Sequence, residues 1–263
     1  MDTPIHRARV ILMPGNCQRF DPFLLMVEDY MKKGAFDYHP HRGMETVTYM
    51  IDGELHHKDN YGNSGILRKG DVQWMTAGKG ILHLEESAEN GFAHLLQIWI
   101  NLPANRKMTA PRYQNILFDN IPTRMEKGIV YRVISGSSGN VMSSIENYVP
   151  ITMVEINVKA GHIAKQDFKP DYNGFIHVLK GSGKFGSGKV EGSQEEVLWM
   201  TPSANHDNEI SIEAIEDLKV LVVAGKPIRE PVVAAGPFVM NTEQEIKQAF
   251  EDLELGRFGK WPQ

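Results

Sequence analysis

The stretch "FDYHPHRGMETVTYMIDG", residues 36–53, places His39 and His41 on either side of a proline at the mouth of a run, "ETVTYMI", that is rich in β-branched and aromatic residues. Such a run reads as a β-strand. Side chains two apart on a strand share a face, so the two imidazoles can aim at one point in space, which is the geometry of a chelate. The pair also admits a plain reading, because histidines often serve only as partly buried hydrogen-bonding residues.

Similar strand signals recur along most of the chain. "VQWMT", "HLLQIWINL", "ITMVEINV", "GFIHVL" and "LKVLVVAG" are separated by turn signals at Asp52-Gly53, Gly62-Asn63 and Lys180-Gly181. Many short strands at close spacing predict an all-β sandwich or barrel. The tract Leu102 to Thr123 carries three prolines and little periodicity, and reads as a long excursion attached to a first domain. The small, polar run "SGSSGN", Ser135 to Asn140, reads as a linker.

Beyond it a second β-rich block begins, and the two blocks look like copies. "VQWMTAG" at Val72 is echoed by "VLWMTPS" at Val197, an offset of 125, and "YMIDG" ending at Gly53 by "HVLKG" ending at Gly181, an offset of 128. Two similar offsets in the same order predict duplication of one domain. After Gly236 the pattern changes: Thr242 and Glu245 form a capping box, and Ile246, Ala249, Phe250 and Leu253 fall at helical spacing before Gly256. The expected organisation is therefore a first domain over residues 1–135, a second over 136–235 and a helical tail over 236–263, docked on the β core.

Composition narrows the functional classes. The 263 residues carry 28 Lys and Arg against 33 Asp and Glu, a formal charge of −5, with no long basic run, so direct nucleic-acid binding by counterion release is not expected. There is no apolar leader and no stretch long enough for a membrane span, which predicts a soluble, cytoplasmic protein. Cys17 is the single cysteine, so a metal site would need nitrogen and oxygen ligands.

Such ligands occur again in "GILHLEE", where His83 and Glu85 lie two apart. With Ile81 they line one strand face, while Leu82 and Leu84 cover the other. A carboxylate on an apolar strand needs something to offset its burial, and a metal ion would do so. Three neutral imidazoles and one carboxylate suit a borderline divalent metal such as iron, manganese, nickel, copper or zinc. In six-coordinate geometry four protein ligands would leave two positions open. An ordinary hydrogen-bonded His/Glu pair is the plain alternative.

Other motifs weaken on inspection. "GKFGSGK", Gly183 to Lys189, has the spacing of a phosphate loop, but Val190 replaces the required hydroxyl and the flanks are strand-like, so it reads as a hairpin turn. His56 and His57 follow the Asp52-Gly53 turn and read as solvent-facing. Met44, Met50 and Met75 read most simply as gap-filling packing residues, with contact to an aromatic substrate as the alternative for any that line the barrel mouth, and Trp74 and Trp199, at equivalent places in the repeats, read as packing residues.

The chain resembles the pirin family. The resemblance spans nearly its whole length and is carried by "DPFLLM" at Asp21, "HPHRGMETV" at His39, "GDVQWMTAGKGILHLEE" at Gly70, "PRYQ" at Pro111 and "EPVVAAGPFVMNT" at Glu230. It implies a bicupin, two jelly-roll β-barrels with one metal in the N-terminal barrel, held by His39, His41, His83 and Glu85. The expected metal is iron(II), with manganese, nickel, copper, cobalt and zinc as alternatives. The implied activity is a quercetin 2,3-dioxygenase-type reaction of a small aromatic substrate with dioxygen. Glu85, or Glu45 if it lies close enough, would act as base. Glu45 sits where the general cupin pattern places a glutamate ligand, and could alternatively orient a ligand or substrate. Eukaryotic members are described as iron-binding nuclear co-regulators, so a non-enzymatic redox-sensing regulator with a protein partner is the rival reading. A metal-dependent isomerase or hydrolase is a third, since cupins host many chemistries. A monomer is expected. The repeat offsets set Asp167 and Lys169 opposite His39 and His41, and Asn208 and Ile210 opposite His83 and Glu85, so the second barrel is expected to be metal-free, with His162, His177 and His206 in surface or packing roles.

Overall fold

The computed structural model describes residues 2–13, 15, 17–200 and 209–261. It divides into two compact units, one made of Met1–Asp119 and Ile228–Gln263, the other of Asn120–Pro227. Both are built of antiparallel strands, as the alternating β-branched runs require. Among the described residues no helix is long and apolar enough to cross a membrane.

The first unit is organised by one long strand, Met44–Asp59. Its first half lies between Ala93–Asn101 and Val72–Thr76, and its second half pairs with Ser64–Arg68 and Ile81–Ser87. The Asp52-Gly53 signal is thus a bend inside a strand, not a chain reversal. Residues 51 and 52 step past a single partner position, a β-bulge between Met50 and Asp52. Gly53 follows at φ 80°, where a Cβ would stand 2.1 Å from the Phe92 carbonyl oxygen. Gly62-Asn63, by contrast, lies in the loop that joins the long strand to Ser64–Arg68, and both Asn63 N–H and Tyr61 N–H donate to Asp59.

In the second unit a six-stranded sheet runs Thr123–Glu126, Ile129–Ser135, Ile151–Val158, Leu218–Gly225, Asn173–Lys180, Val197–Met200, with a four-stranded sheet beside it in the topology. The duplication is visible in register. Val47 faces Trp74 and Tyr49 faces Val72 in the first unit. Phe175 faces Trp199 and His177 faces Val197 in the second. These are the pairs that the two sequence offsets equate, so the repeat extends to hydrogen-bonding register. "GKFGSGK" is a hairpin between Ser182–Phe185 and Val190–Ser193.

The expected boundaries shift. Thr123–Glu126 and Ile129–Ser135 belong to the second unit's sheet, so that unit begins at Asn120 rather than after Ser135. Nor is "SGSSGN" a linker. Ser137–Ser138 pairs with Val141–Met142, Ser135 Oγ donates to the Ile151 carbonyl and buried Ser138 donates to Gln166. Flexible composition was offset by partners distant in sequence. The Leu102 to Thr123 excursion also holds a strand, Arg112–Ile116, paired along its length with Val72–Thr76.

The chain returns to the first unit at Ile228, and residues 228–263 belong to it throughout. The helix Glu243–Glu254 begins where Thr242 accepts the Glu245 N–H, the expected cap. Ile246 and Ala249 are buried against Leu82, Phe238, Met240 and Phe258, whereas Phe250 is 40% exposed. Burial of each large apolar side chain there contributes roughly 1.5–3 kcal/mol. Arg42, next to the H-x-H pair, donates to Asp252 of the helix at 2.8 Å and lies over the Phe258 ring. The tail therefore braces the strand that carries the histidines.

Candidate metal centre

The short strand His39–His41 pairs antiparallel with Ile81–Ser87, setting His39 directly opposite His83 and His41 opposite Ile81. Directly opposed residues share a face, so the pairing brings both chelate pairs to one side. The ring centroids of His39 and His83 lie 4.3 Å apart, and those of His41 lie 5.0 Å from each. One ring nitrogen from each histidine lies within 4.8 Å of the other two, so the three can hold a metal ion.

Their chemistry fits that use. His39 Nδ1–H donates to the Asp37 carbonyl at 2.9 Å, which leaves Nε2 with its lone pair. His41 and His83 are 2% and 1% exposed, and neither nitrogen of His83 has a hydrogen-bond partner, while the Pro237 backbone lies within reach of His41. A buried unpaired polar group costs about 1–3 kcal/mol. Burial, and then the neighbouring imidazoles, hold the pKa of both rings well below the ordinary value, so they stand neutral, the form that ligates metal.

Glu85 shares the His83 face, but its carboxylate is not part of that close group. Its oxygens accept from Thr48 Oγ1 at 3.2 Å and from Gln97 Nε2 at 2.9 Å. Gln97 in turn accepts from Trp99 Nε1, and the Trp99 ring meets His41 edge-on at 5.3 Å. Burial pushes the Glu85 pKa up to about 7, against the opposing pull of the Gln97 and Thr48 hydrogen bonds. A group whose folded pKa lies above its unfolded value contributes stability that is complete below the unfolded pKa, here 4.5, and lost as pH rises through about 7. Glu85→Gln cannot ionise. In metal-free protein at about pH 8 it is expected to exceed the parent in stability by on the order of 1–3 kcal/mol, and denaturant melts should show the gap closing toward acid pH.

Glu45 does not join the site. Thr48 faces Glu85, and Glu45, three residues earlier on the same strand, has the opposite parity. It sits beside Thr76, whose hydroxyl donates to it at 2.7 Å, and burial raises its pKa. Glu45 therefore faces away from the histidines, out of place for a base or an orienting residue there.

His57 also departs from expectation, being 1% exposed and paired in register with Glu85, while its neighbour His56 reaches Glu54 at 2.7 Å. The bulge at Met50/Asp52 explains this, because one extra residue exchanges the two faces of everything downstream. Thr48, Gln97, Trp99, His57 and Tyr113 were not recognised in the sequence as neighbours of the site. The signal for Gln97 was a polar residue in the otherwise apolar "LLQIWI". In the second unit, His162 Nδ1–H donates to the Ala160 carbonyl and His177 is buried. His206 and Asn208 lie outside the described residues.

Comparison with known proteins gives the lineage. The pirin pattern matches residues 6–100, and the pattern of the pirin C-terminal cupin domain matches residues 153–259. The chain belongs to the pirin family. A pirin-like protein of Solanum lycopersicum is 39% identical over 246 residues, spanning 92% of this chain and 83% of its own. A solved Geobacillus kaustophilus protein is 47% identical with a TM-score of 0.86, over 88% of this chain and 94% of its own. A structure of quercetin 2,3-dioxygenase from Acinetobacter baumannii is 33% identical with a TM-score of 0.85, over 95% and 91%. The fold is accordingly the all-β bicupin of the pirin family, two cupin domains of jelly-roll type with one C-terminal helix. His39, His41, His83 and Glu85 all lie within the first pirin match.

Proposed function

We propose that this chain is a metal-dependent dioxygenase acting on flavonol-type aromatic substrates, with one divalent transition metal, iron(II) foremost, held by His39, His41, His83 and Glu85. The observation that carries the proposal is the convergence of one nitrogen from each of His39, His41 and His83 to within 4.8 Å of one another, with both nitrogens of buried His83 left without a protein partner. A cation at the point of convergence would take the lone-pair nitrogen of each ring. The likeness to the Acinetobacter quercetin 2,3-dioxygenase supports the choice of reaction.

Such a metal supplies a Lewis-acid centre that lowers the pKa of a bound substrate hydroxyl. The protein's own part follows from its geometry. Asp37 fixes the His39 tautomer through the Nδ1 hydrogen bond. Thr48 and Gln97 hold the Glu85 carboxylate on the histidine face, where it would serve as the fourth ligand or as the base that takes the substrate's hydroxyl proton. Trp99 offers an aromatic wall beside His41.

The test is turnover of quercetin by protein reconstituted anaerobically with iron(II), manganese, nickel or cobalt and then exposed to oxygen. Flavonol and dioxygen should disappear in equal amounts, and neither should be consumed by metal-free protein. If the metal-loaded chain consumes no member of a flavonol panel, yet changes its affinity for a protein partner when the metal is oxidised, the enzyme reading falls to the regulatory one.

A further inference from the structure

The face that carries Glu85 continues as two rows across four strands. Gln97, Thr48, Gln73 and Asn115 form one, in register. Trp99, Thr46, Met75 and Tyr113 form the next. Polar side chains of the first row have partners: Gln97 and Thr48 donate to Glu85, and Gln73 donates to Asn115 at 3.0 Å.

His57 and Tyr113 differ. Their rings lie 4.8 Å apart, tilted by 31°. Both nitrogens of His57 and the hydroxyl of Tyr113 are shielded from solvent and have no hydrogen-bond partner. His57 sits directly across from Glu85, two residues from the position opposite His83. The ring lies close against the backbone of Gly65, where a Cβ would stand 2.8 Å from His57 Nε2. A glycine there lets the imidazole tuck inward against the strand, which any other residue would push away.

Unpaired polar groups of this sort are retained where a ligand supplies the partner. Two rings joined at one edge of the site, offering one hydroxyl and two imidazole nitrogens, match a hydroxylated aromatic ring, which both stacks and forms hydrogen bonds. We propose that His57 and Tyr113 form a specificity subsite for a hydroxyl group of the aromatic substrate other than those addressed to the metal. This rests on the flavonol reading given above and adds to it the residues that select among flavonols. Burial, with the charges of Asp59 and Glu85, raises the Tyr113 pKa, so the hydroxyl keeps its proton and can donate. His57 can donate through one nitrogen and accept through the other.

The experiment compares two probes under anaerobic conditions, so that binding is read without turnover. Quercetin carries several ring hydroxyls, whereas 3-hydroxyflavone keeps the 3-hydroxyl and 4-carbonyl and lacks the others. Metal-loaded wild type should bind quercetin at least about 10-fold more tightly, the loss typical of one hydrogen bond to a buried site. Tyr113→Phe and His57→Leu should each shrink that ratio several-fold while leaving 3-hydroxyflavone affinity and metal content as they were. Metal-free Tyr113→Phe should melt at or above the wild-type temperature, because the deleted hydroxyl has no protein partner to lose. An unchanged probe ratio in both variants overturns the subsite with the flavonol reading intact. So does a clear drop in metal-free melting temperature with both probes weakened equally, which marks a structural role. Failure of wild type to bind either probe overturns both.

Discussion

His83→Ala is expected to take the protein from about one transition-metal ion per chain to nearly none after anaerobic reconstitution and dialysis. His83 faces His39 directly in the strand pair and belongs to the only group of three converging imidazoles found among the described residues, so its removal leaves His39 and His41 without the nitrogen that closes the set. Ligation is cooperative in geometry as well as in number, since the two remaining imidazoles come from one short strand and cannot surround an ion. Metal analysis by emission spectroscopy reads the result directly. A thermal readout accompanies it: wild type should gain about 2.7 kcal/mol with free metal at 100 times its Kd, and the variant should gain nothing in that range. Full stoichiometry in His83→Ala would move the ligand set elsewhere. His83→Gln, closer in volume, guards against loss through misfolding, and should fail to bind metal while keeping the wild-type far-UV circular dichroism.

The second large effect is expected at Glu85. Glu85→Gln should lower kcat with a flavonol by about 100-fold or more, the scale of a lost proton-transfer group, when rates are normalised to bound metal. The substitution keeps an oxygen for Thr48 and Gln97 to address but removes the negative charge and the proton acceptor. It couples to the stability prediction made above, because the variant should be the more stable of the two at alkaline pH in its metal-free form. A buried carboxylate that weakens the fold and is needed for turnover is the trade expected of a functional group. Turnover within threefold of wild type at equal metal occupancy would remove Glu85 from the chemistry.

The histidine pattern was legible because it is local. Two residues apart on a strand means one shared face, whatever the rest of the molecule does, so "HPH" and "HLE" each declared themselves as pairs. The duplication was legible for a similar reason, since the offsets 125 and 128 equate Trp74 with Trp199 and Val47 with Phe175, and the strand registers honour both. The cap at Thr242 is likewise a short-range matter, settled within three residues.

What needed the tertiary structure was every statement about partners far apart in the chain. The antiparallel pairing of His39 with His83 turns two chelate pairs into one centre, and nothing within either segment requires that pairing. Composition read Ser135 to Asn140 as a tether, but Ser135 and Ser138 find hydrogen-bond acceptors at Ile151 and Gln166, and those partners decide the boundary. Parity placed Glu45 with no knowledge of which face would hold the metal, and it fell on the far one from Thr48 and Glu85. His57 is the sharpest case. Counted along an unbroken strand it would share the Glu45 face, yet a single bulged residue between Met50 and Asp52 carries it across to Glu85. Face assignment by alternation is reliable up to the first bulge and inverts beyond it, and where a bulge forms is set by the neighbouring strand.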